Sequence, residues 1–250
     1  MKVMSLNLWG GRLPNPLKKF LEQYKNDIDI FCFQEVYHNA QGKLIEEWWN
    51  DGEIDAQLFE NIEKVLINHK GFFYSHFIDF WGLAVFIKKQ IDILKEGDFF
   101  VHEAPSMEVA KKGGTSKNVE YVSFKYKGKK INIINFHGLW TGMGKTDSDS
   151  RIKQSKNIVE FLKTLSGEII FCGDFNLKPD TESLKILEEF GFRNLIKENK
   201  ITSTRTSLYT KNERFADYVL VTDGIRVNEF KVLPDEVSDH NPIYLDFDLV

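Results

Sequence analysis

The sequence predicts an α/β fold in which two β-sheets pack face to face and helices cover their outer sides. Three features point there. Short apolar strands alternate with amphipathic helical stripes, no linker or low-complexity tract interrupts the 250 residues, and two segments echo each other. Ile30 to Glu35 and Ile170 to Asp174 both hold Phe-Cys in an apolar run with a carboxylate a few residues on, as two similar halves would. At this length a single domain over residues 1–250 is expected.

Val3 to Leu8 reads as an apolar strand running into Gly10-Gly11. After Pro14 and Pro16, Leu17, Phe20, Leu21 and Tyr24 recur at i, i+3, i+4, i+7, the stripe of an amphipathic helix. Ile28 to Phe33 is nearly all apolar, as a strand buried on both faces should be. Leu58, Ile62, Val65 and Leu66 mark a second helix, and from Phe72 to Tyr126 the pattern turns to short strands, clearest at Leu83–Ile87 and Val119–Tyr126. Lys127-Gly128-Lys129 predicts a hairpin turn into Ile131–Phe136. Ser148, Asp149 and Ser150 offer N-caps for a helix burying Ile158, Phe161, Leu162 and Leu165. Glu168–Cys172 is a strand, and Asp180 or Thr181 is expected to cap a helix with Leu184, Leu187 and Phe190, closed by Gly191. Tyr218–Val221, Val227–Val232 and Ile243–Phe247 complete the strands.

Composition narrows the function classes. Apolar residues are 42% and charged residues 28%, the balance of a folded chain and not of a disordered one. No apolar stretch approaches the ~18 residues needed to span a bilayer. The N-terminus has Lys2 but no long apolar segment or small-residue cleavage site, so no signal peptide is expected. Cys32 and Cys172 each sit in an apolar run and are expected to be reduced and buried, which suits the cytoplasm. The formal net charge of −4 argues against a broad basic footprint for nucleic acid.

The polar residues of interest lie where apolar strands end. Asn7 ends the first strand, Glu35 the second, His137 the strand from Ile131, and Asp174 the strand from Glu168; Asn176 follows, Asp217 precedes a strand, and Asp239-His240 precedes the last. Taken singly, an Asn or Asp at a strand exit usually makes a turn or cap. Repetition at seven exits points instead to one pocket at one edge of a sandwich.

These residues resemble a known family. Asn7 in Ser-Leu-Asn-Leu-Trp, Gln34-Glu35-Val36, Asn135-Phe136-His137, Gly173-Asp174-Phe175-Asn176, Ala216-Asp217-Tyr218 and Ser238-Asp239-His240-Asn241-Pro242 look like the signature blocks of the endonuclease/exonuclease/phosphatase superfamily. They stand in the family's order from residue 7 to 242, nearly the whole chain. The resemblance implies a four-layer α/β-sandwich, two packed and mostly antiparallel sheets flanked by helices, that cleaves phosphoester bonds with a divalent cation, magnesium with manganese as a substitute.

The resemblance also implies roles. Magnesium prefers oxygen ligands and keeps several waters, so one or two carboxylates suffice. Glu35 resembles the principal metal ligand, supported by Asn7, with Asp239 as the other carboxylate near the metal. Asp174 matches the residue that orients or deprotonates the attacking water, and Asn176 can donate to a phosphoryl oxygen without adding charge. His240, paired with Asp217, would face the phosphate as acid, base or clamp. His137 looks like the family's second histidine, a phosphate contact or proton donor to the leaving group. Trp9 stands where the DNA-repair branch often has an acidic residue, and His137 replaces that branch's tyrosine. Both lean toward branches holding secreted DNases, mRNA deadenylases, neutral sphingomyelinases and tyrosyl-DNA phosphodiesterase-like proteins. Arg151 and Gln154 resemble an Arg-x-x-Gln element of such proteins.

Outside the motif blocks, Arg151 and Arg205 are candidate phosphate contacts, and Trp140, with Trp81, Tyr37 and Tyr209, a candidate stacking surface. Lys111-Lys112 and Lys129-Lys130 read as solvated charges. The expected activity is magnesium-dependent phosphodiester hydrolysis by a monomer without stable membrane association. Its substrate is a nucleic-acid end, single strand or nucleotide held over a short footprint. A phospholipid or small phosphate ester is the alternative leaving-group class; Leu6-Asn7-Leu8-Trp9-Gly10 is reminiscent of the sphingomyelinase branch. A non-catalytic binding protein of the same fold is disfavoured by the intact set of carboxylates and histidines.

Overall fold

A computed structural model describes residues 1–43, 54–76, 79–103, 116–142 and 144–250. Its strands are β1 (Lys2–Asn7), β2 (Ile30–Tyr37), β3 (His69–Ser75), β4 (Trp81–Lys88), β5 (Ile93–His102), β6 (Lys117–Tyr126), β7 (Lys129–His137), β8 (Glu168–Asp174), β9 (Arg193–Asn194), β10 (Asp217–Val221), β11 (Ile225–Val232) and β12 (Ile243–Leu249). The helices are α1 (Pro14–Tyr24), α2 (Leu58–Val65), α3 (Asp149–Leu162), α4 (Glu182–Glu189) and the single turn α5 (Leu195–Glu198). No described helix is long and apolar enough to cross a membrane.

Two six-stranded sheets form, in the orders β11-β12-β1-β2-β4-β3 and β5-β6-β7-β8-β10-β9. The correspondence is strand for strand: among the described residues β1 and β2 are the parallel pair of the first sheet, β7 and β8 that of the second. The echo between Ile30–Glu35 and Ile170–Asp174 therefore marks equivalent strands, β2 and β8. The halves are not contiguous in sequence, because β11 and β12 return from the C-terminus to complete the first sheet.

Side-chain alternation builds the layers. Met4, Leu6, Phe31, Phe33, Ala84 and Phe86 face outward beneath Leu17, Phe20 and Leu21 of α1 and Leu58, Phe59 and Ile62 of α2. Val3, Ile30, Cys32, Val85 and Ile87 face the second sheet, whose far side is covered by Ile158, Phe161 and Leu162 of α3 and Leu184 and Leu187 of α4. Both cysteines are free and buried. The α/β-sandwich expected from the sequence is the observed architecture.

Two local signals behaved as chemistry requires; Leu165, expected inside α3, lies beyond its end and is only partly buried, and the α4 cap differs as well. Lys127 and Gly128 take φ of 50° and 80°, joining Tyr126 to Lys129 in a two-residue hairpin. Ser148 caps α3 by accepting from Arg151 N at 3.3 Å. Neither Asp180 nor Thr181 caps α4. Asp147, far upstream, accepts from Glu182 N at 2.7 Å and Ser183 N at 2.9 Å, while the Thr181 hydroxyl turns back to Lys178 O at 2.9 Å. A carboxylate at a helix N-terminus also complements the helix dipole, so the remote cap outcompetes the local one. Lys129 is exposed, as a solvated charge should be; Lys111 and Lys112 lie outside the described residues.

A polar bridge ties the sheets just below the strand ends. Gln34 Nε2 donates to Asn135 Oδ1 at 2.7 Å, and Asn135 Nδ2 donates to Phe33 O at 2.9 Å and Glu120 Oε2 at 3.1 Å. Burial pushes the Glu120 carboxyl well above its ordinary 4.5, although Asn135 and Val85 N–H favour its anion. The folded state therefore keeps this proton longer than the unfolded chain. Its contribution to stability is complete below about pH 4.5 and is lost as pH rises through the raised folded value. Glu120→Gln should flatten that dependence, read by urea unfolding across this pH range. A wild-type slope unchanged in the variant would exclude Glu120 as its source.

Gly173 is required where β8 nears β7. Its φ is +138°, and an added Cβ would lie 2.0 Å from Phe136 O. Gly173→Ala is expected to cost about 2–4 kcal/mol in denaturant unfolding, as backbone strain and overpacking combine.

Candidate active site

Sheet register places the functional groups in rows. On the second sheet His137, Asp174 and Asp217 are direct neighbours across β7, β8 and β10. On the first, Asn7 lies opposite Gln34, on the same inward-facing alternation as Val3. Because β1–β2 and β7–β8 are the parallel pairs, their carboxyl ends reach one edge of the sandwich. There Asn7 Nδ2 spans both sheets, donating to Asp174 Oδ2 and Glu35 Oε1 at 3.0 Å each.

Glu35 reaches this edge by a device the alternation rule misses. Gln34 faces inward, so a regular strand would send Glu35 outward. The β2–β4 register shifts between Gln34 and Val36, and Glu35 takes φ +56° at that bulge. Asn176 is also left-handed (φ +54°), in an Asx turn where its N–H donates to Asp174 Oδ1 at 2.8 Å. Its side-chain amide donates to Gly138 O at 3.2 Å, pinning the segment after His137.

The second histidine closes the ring. His240 Nδ1 lies 2.8 Å from Asp217 Oδ1, Thr204 Oγ1 donates to Asp217 Oδ2 at 2.9 Å, and His240 Nε2 points to Asp174 Oδ2 at 3.6 Å and Asp239 Oδ1 at 3.7 Å. Burial alone would discharge this ring, but the Asp217 carboxylate, with help from Asp174, raises its pKa above the ordinary value. His137 is the opposite case: burial, reinforced by nearby Lys117, holds it well below, so it is neutral. Its Nε2 faces Glu35 at 3.7 Å and Asp174 at 3.9 Å. Burial works against ionisation of Asp174 too, yet His240, Lys145 and Arg205 hold it well below the carboxylate range. Burial raises Glu35, opposed by the Asn7 hydrogen bond.

Ligand atoms of Glu35, His137 and Asp174 fall within 4.8 Å of one another, as do those of Asp174, Asp217 and His240. The first group suits a hard divalent cation: two carboxylate oxygens converge there on the Asn7 amide, with His137 Nε2 facing both. The second is already satisfied as an acid–base pair. Asp239, expected near the metal, joins neither group; Arg205 Nη1 holds its Oδ2 at 2.9 Å.

The remaining candidates divide. Arg151, expected at the substrate, instead buries its guanidinium against the loop after His137, donating Nε to Leu139 O at 3.1 Å and Nη1 to Thr146 O. Gln154 accepts from Leu139 N at 3.2 Å, so the pair grips one residue from both sides. Arg205 is buried and lies 4.0 Å from the Tyr209 ring centroid. Trp140 is 58% exposed, with Lys211 Nζ 5.5 Å from its ring. Tyr37 is core, while Trp81 packs edge-on against His76 and His137.

Sequence reasoning missed three groups. Lys145 is buried beside Asp174; Lys117 is buried over Trp81, its pKa pulled down by burial to about 8 despite Glu35 and Asp174; His76 is buried on Asn118 and packs on His137. Only Lys145 had a usable signal, glycines at 142 and 144 in the loop leaving His137.

The family model described as Endonuclease/Exonuclease/phosphatase family matches residues 4–240. The chain belongs to this family. Solved structures agree at the level of fold. An endonuclease/exonuclease/phosphatase family protein from Leptotrichia buccalis C-1013-b superposes with a TM-score of 0.75 at 18% identity, covering 100% of both chains. The mannosyl-6-phosphatase Bt3783 of Bacteroides thetaiotaomicron VPI-5482 gives 0.74 at 20% identity, again covering 100% of both. Humanized D. rerio TDP2 gives 0.70 at 15%, covering 99% of this chain and 98% of that one. No curated protein matches the sequence. As a family member the protein is a hydrolase of phosphoester bonds, and the clustered Glu35, His137 and Asp174 are its candidate metal group.

Proposed function

We propose that the protein hydrolyses a phosphoester with one divalent cation, magnesium or manganese, on a nucleic-acid end, a single strand or a nucleotide. The observation that carries this reading is the Asp217–His240 pair aimed at Asp174, while Asn7 and Glu35 approach the same carboxylate from the opposite sheet.

Glu35 and Asp174, steadied by Asn7, would hold the cation, with His137 beside them. When bound it supplies charge for the phosphoryl oxygens and a more acidic water. The protein's own groups do the rest. Asp174 accepts from the attacking water and aims it at phosphorus. As the new P–O bond forms, the ester P–O bond breaks, and imidazolium His240 faces the charge gathering on the phosphoryl oxygens. Asp217 fixes that ring's tautomer and supports its charge. Neutral His137 can donate a hydrogen bond toward the leaving oxygen.

The short footprint rests on charge. Close to the site, cations are few and mostly buried, and the chain carries net −4. Log binding to duplex DNA falls with log salt at about −0.9 per phosphate contact. Affinity of the Asp174→Asn protein for a short single strand is expected to show the slope of only two or three contacts. A steep slope with strong preference for a long duplex would refute this substrate class.

The cation should also stabilise the fold. At ~10 times its dissociation constant, magnesium is expected to add about 1.4 kcal/mol. Thermal melts with magnesium against chelator check this; identical melts at saturating magnesium would contradict the assigned cluster.

A further inference from the structure

A polar cleft of about 450 Å³ opens at the amino end of β2, away from Glu35. Lys25, Asn26, Asn68, Lys88, Lys89 and Gln90 line it. They come from the turn between α1 and β2, the turn between α2 and β3, and the end of β4. Three of the six are cations, three carry amides, and none is a carboxylate.

The cleft is built before any ligand arrives. Lys88 Nζ donates to Asn26 O at 3.0 Å and Asp29 Oδ1 at 2.8 Å, and Lys89 Nζ donates to Ile67 O at 2.8 Å. The three segments are also tied together directly. Lys88 N donates to Asp29 O and Lys89 N to Asn68 O, each at 2.9 Å, while His69 Nε2 meets Ile28 O at 3.0 Å. Surface lysines ordinarily extend their ammonium into water. Here two of them are fixed in the wall by backbone carbonyls, which accept a hydrogen bond without cancelling the charge.

The acceptors nearby are committed and the donors are not. Asp29 gives its other oxygen to Lys2 N at 2.8 Å, and Asp27 pairs with the Lys2 ammonium. At the end of α1, Leu21 O accepts from Lys25 N at 2.8 Å, and Tyr24 O accepts from Asp27 N and Ile28 N at 3.0 Å each. An ammonium has three N–H groups, of which Lys88 commits two and Lys89 one. Among the described residues no hydrogen bond uses the Lys25 ammonium or the side-chain amides of Asn26, Asn68 and Gln90. Three cations against the one carboxylate of Asp29 leave two positive charges facing one space.

We propose that this cleft binds a small organic phosphate monoester, with its dianionic phosphate among Lys25, Lys88 and Lys89 and its hydroxyls on the three amides. Three point-charge ammonium groups suit the terminal oxygens of a tetrahedral phosphate, whereas planar carboxylates are matched by arginine forks. The size calls for a body beyond the phosphate, since clefts for small organic ligands begin at about 300 Å³. Amide side chains both donate and accept, as hydroxyls require. The cleft and Asp174 lie at opposite ends of the strands, so its ligand is independent of the hydrolysis proposed above.

The test titrates the full ¹⁵N-labelled chain, in chelator to prevent turnover, with ribose 5-phosphate, inorganic phosphate and succinate. The backbone amides of Asn68, Lys89 and Gln90 report on the cleft. Ribose 5-phosphate is expected to move them along one saturable curve, with an affinity at least about tenfold above the other two anions. The Lys25 side chain holds no part of the fold, so variants there should melt as wild type does. Lys25→Glu is expected to weaken binding at least about tenfold, and Lys25→Arg to restore most of it. Amides beside His137 and Asp174 should respond alike in wild type and variants, which separates this cleft from the candidate active site. Movement reproduced by sodium chloride at equal ionic strength, or one that never saturates, would overturn the site. Undiminished affinity in Lys25→Glu would overturn the placement of the phosphate. Inorganic phosphate or succinate binding as tightly as ribose 5-phosphate would overturn the class of ligand.

Discussion

Asp217→Asn is expected to leave the fold intact and lower turnover by ~10²–10⁴-fold, the scale of one positioned acid–base group. Asp217 meets His240 Nδ1 at 2.8 Å and is itself held by Thr204. An Asn there keeps the size but loses the charge that supports the imidazolium, and can present its NH₂ to a ring nitrogen that must donate. The effect has a signature in stability as well. In wild type the folded pKa of His240 is raised, with Asp217 overcoming the cost of burial. That contribution is fully present below the ordinary histidine value of about 6.5 and is lost as pH rises through the folded value. The variant should lack this pH-dependent part. Near-native turnover in Asp217→Asn would take His240 out of the chemistry.

Asp174→Asn should be at least as damaging, ~10³-fold or more in turnover, because Asp174 joins Asn7 of the other sheet to His240. It accepts from Asn7 across the sheets and from Asn176 within its turn, and it offsets His240, Lys145 and Arg205. Replacing one oxygen by NH₂ sets a donor against Asn7 Nδ2 or against Asn176 N–H. It also leaves the surrounding cations short of one negative charge. Removing one partner of a buried charge cluster typically costs 3–5 kcal/mol, so about that loss is expected in urea unfolding at neutral pH. Magnesium should then shift the melting temperature less than in wild type.

Most of the fold was legible because apolar periodicity is a local signal. The stripes at Leu17–Tyr24 and Leu58–Leu66 became α1 and α2, and the apolar runs became the central strands of both sheets. What escaped was decided at a distance. Asp147 caps α4 from another loop, and β11 and β12 complete a sheet begun more than two hundred residues earlier. The site was legible as residue types at strand ends, and register explains why. Strands β1, β2, β7 and β8 end together, so Asn7, His137 and Asp174 meet whatever the loops do. Glu35 needed a bulge that no alternation rule supplies. Arg151 looked like a phosphate contact because its spacing to Gln154 places both on one helix face. That face turned out to grip Leu139. Lys117 and His76 went unnoticed because a single lysine at a strand start or a histidine just past a strand gives no pattern, and the glycines beside Lys145 mark only its loop; packing shows that all three are buried.

The central claim is that water, steered by Asp174 beside a cation at Glu35, attacks phosphorus. Hydrolysis of an aryl phosphate in ¹⁸O-labelled water, for wild type and Asp174→Asn with magnesium or chelator, tests it most directly. The expected result is one ¹⁸O in the phosphate product and none in the phenol, for wild type with magnesium only. Label in the phenol, or undiminished hydrolysis in chelator or in Asp174→Asn, would contradict it.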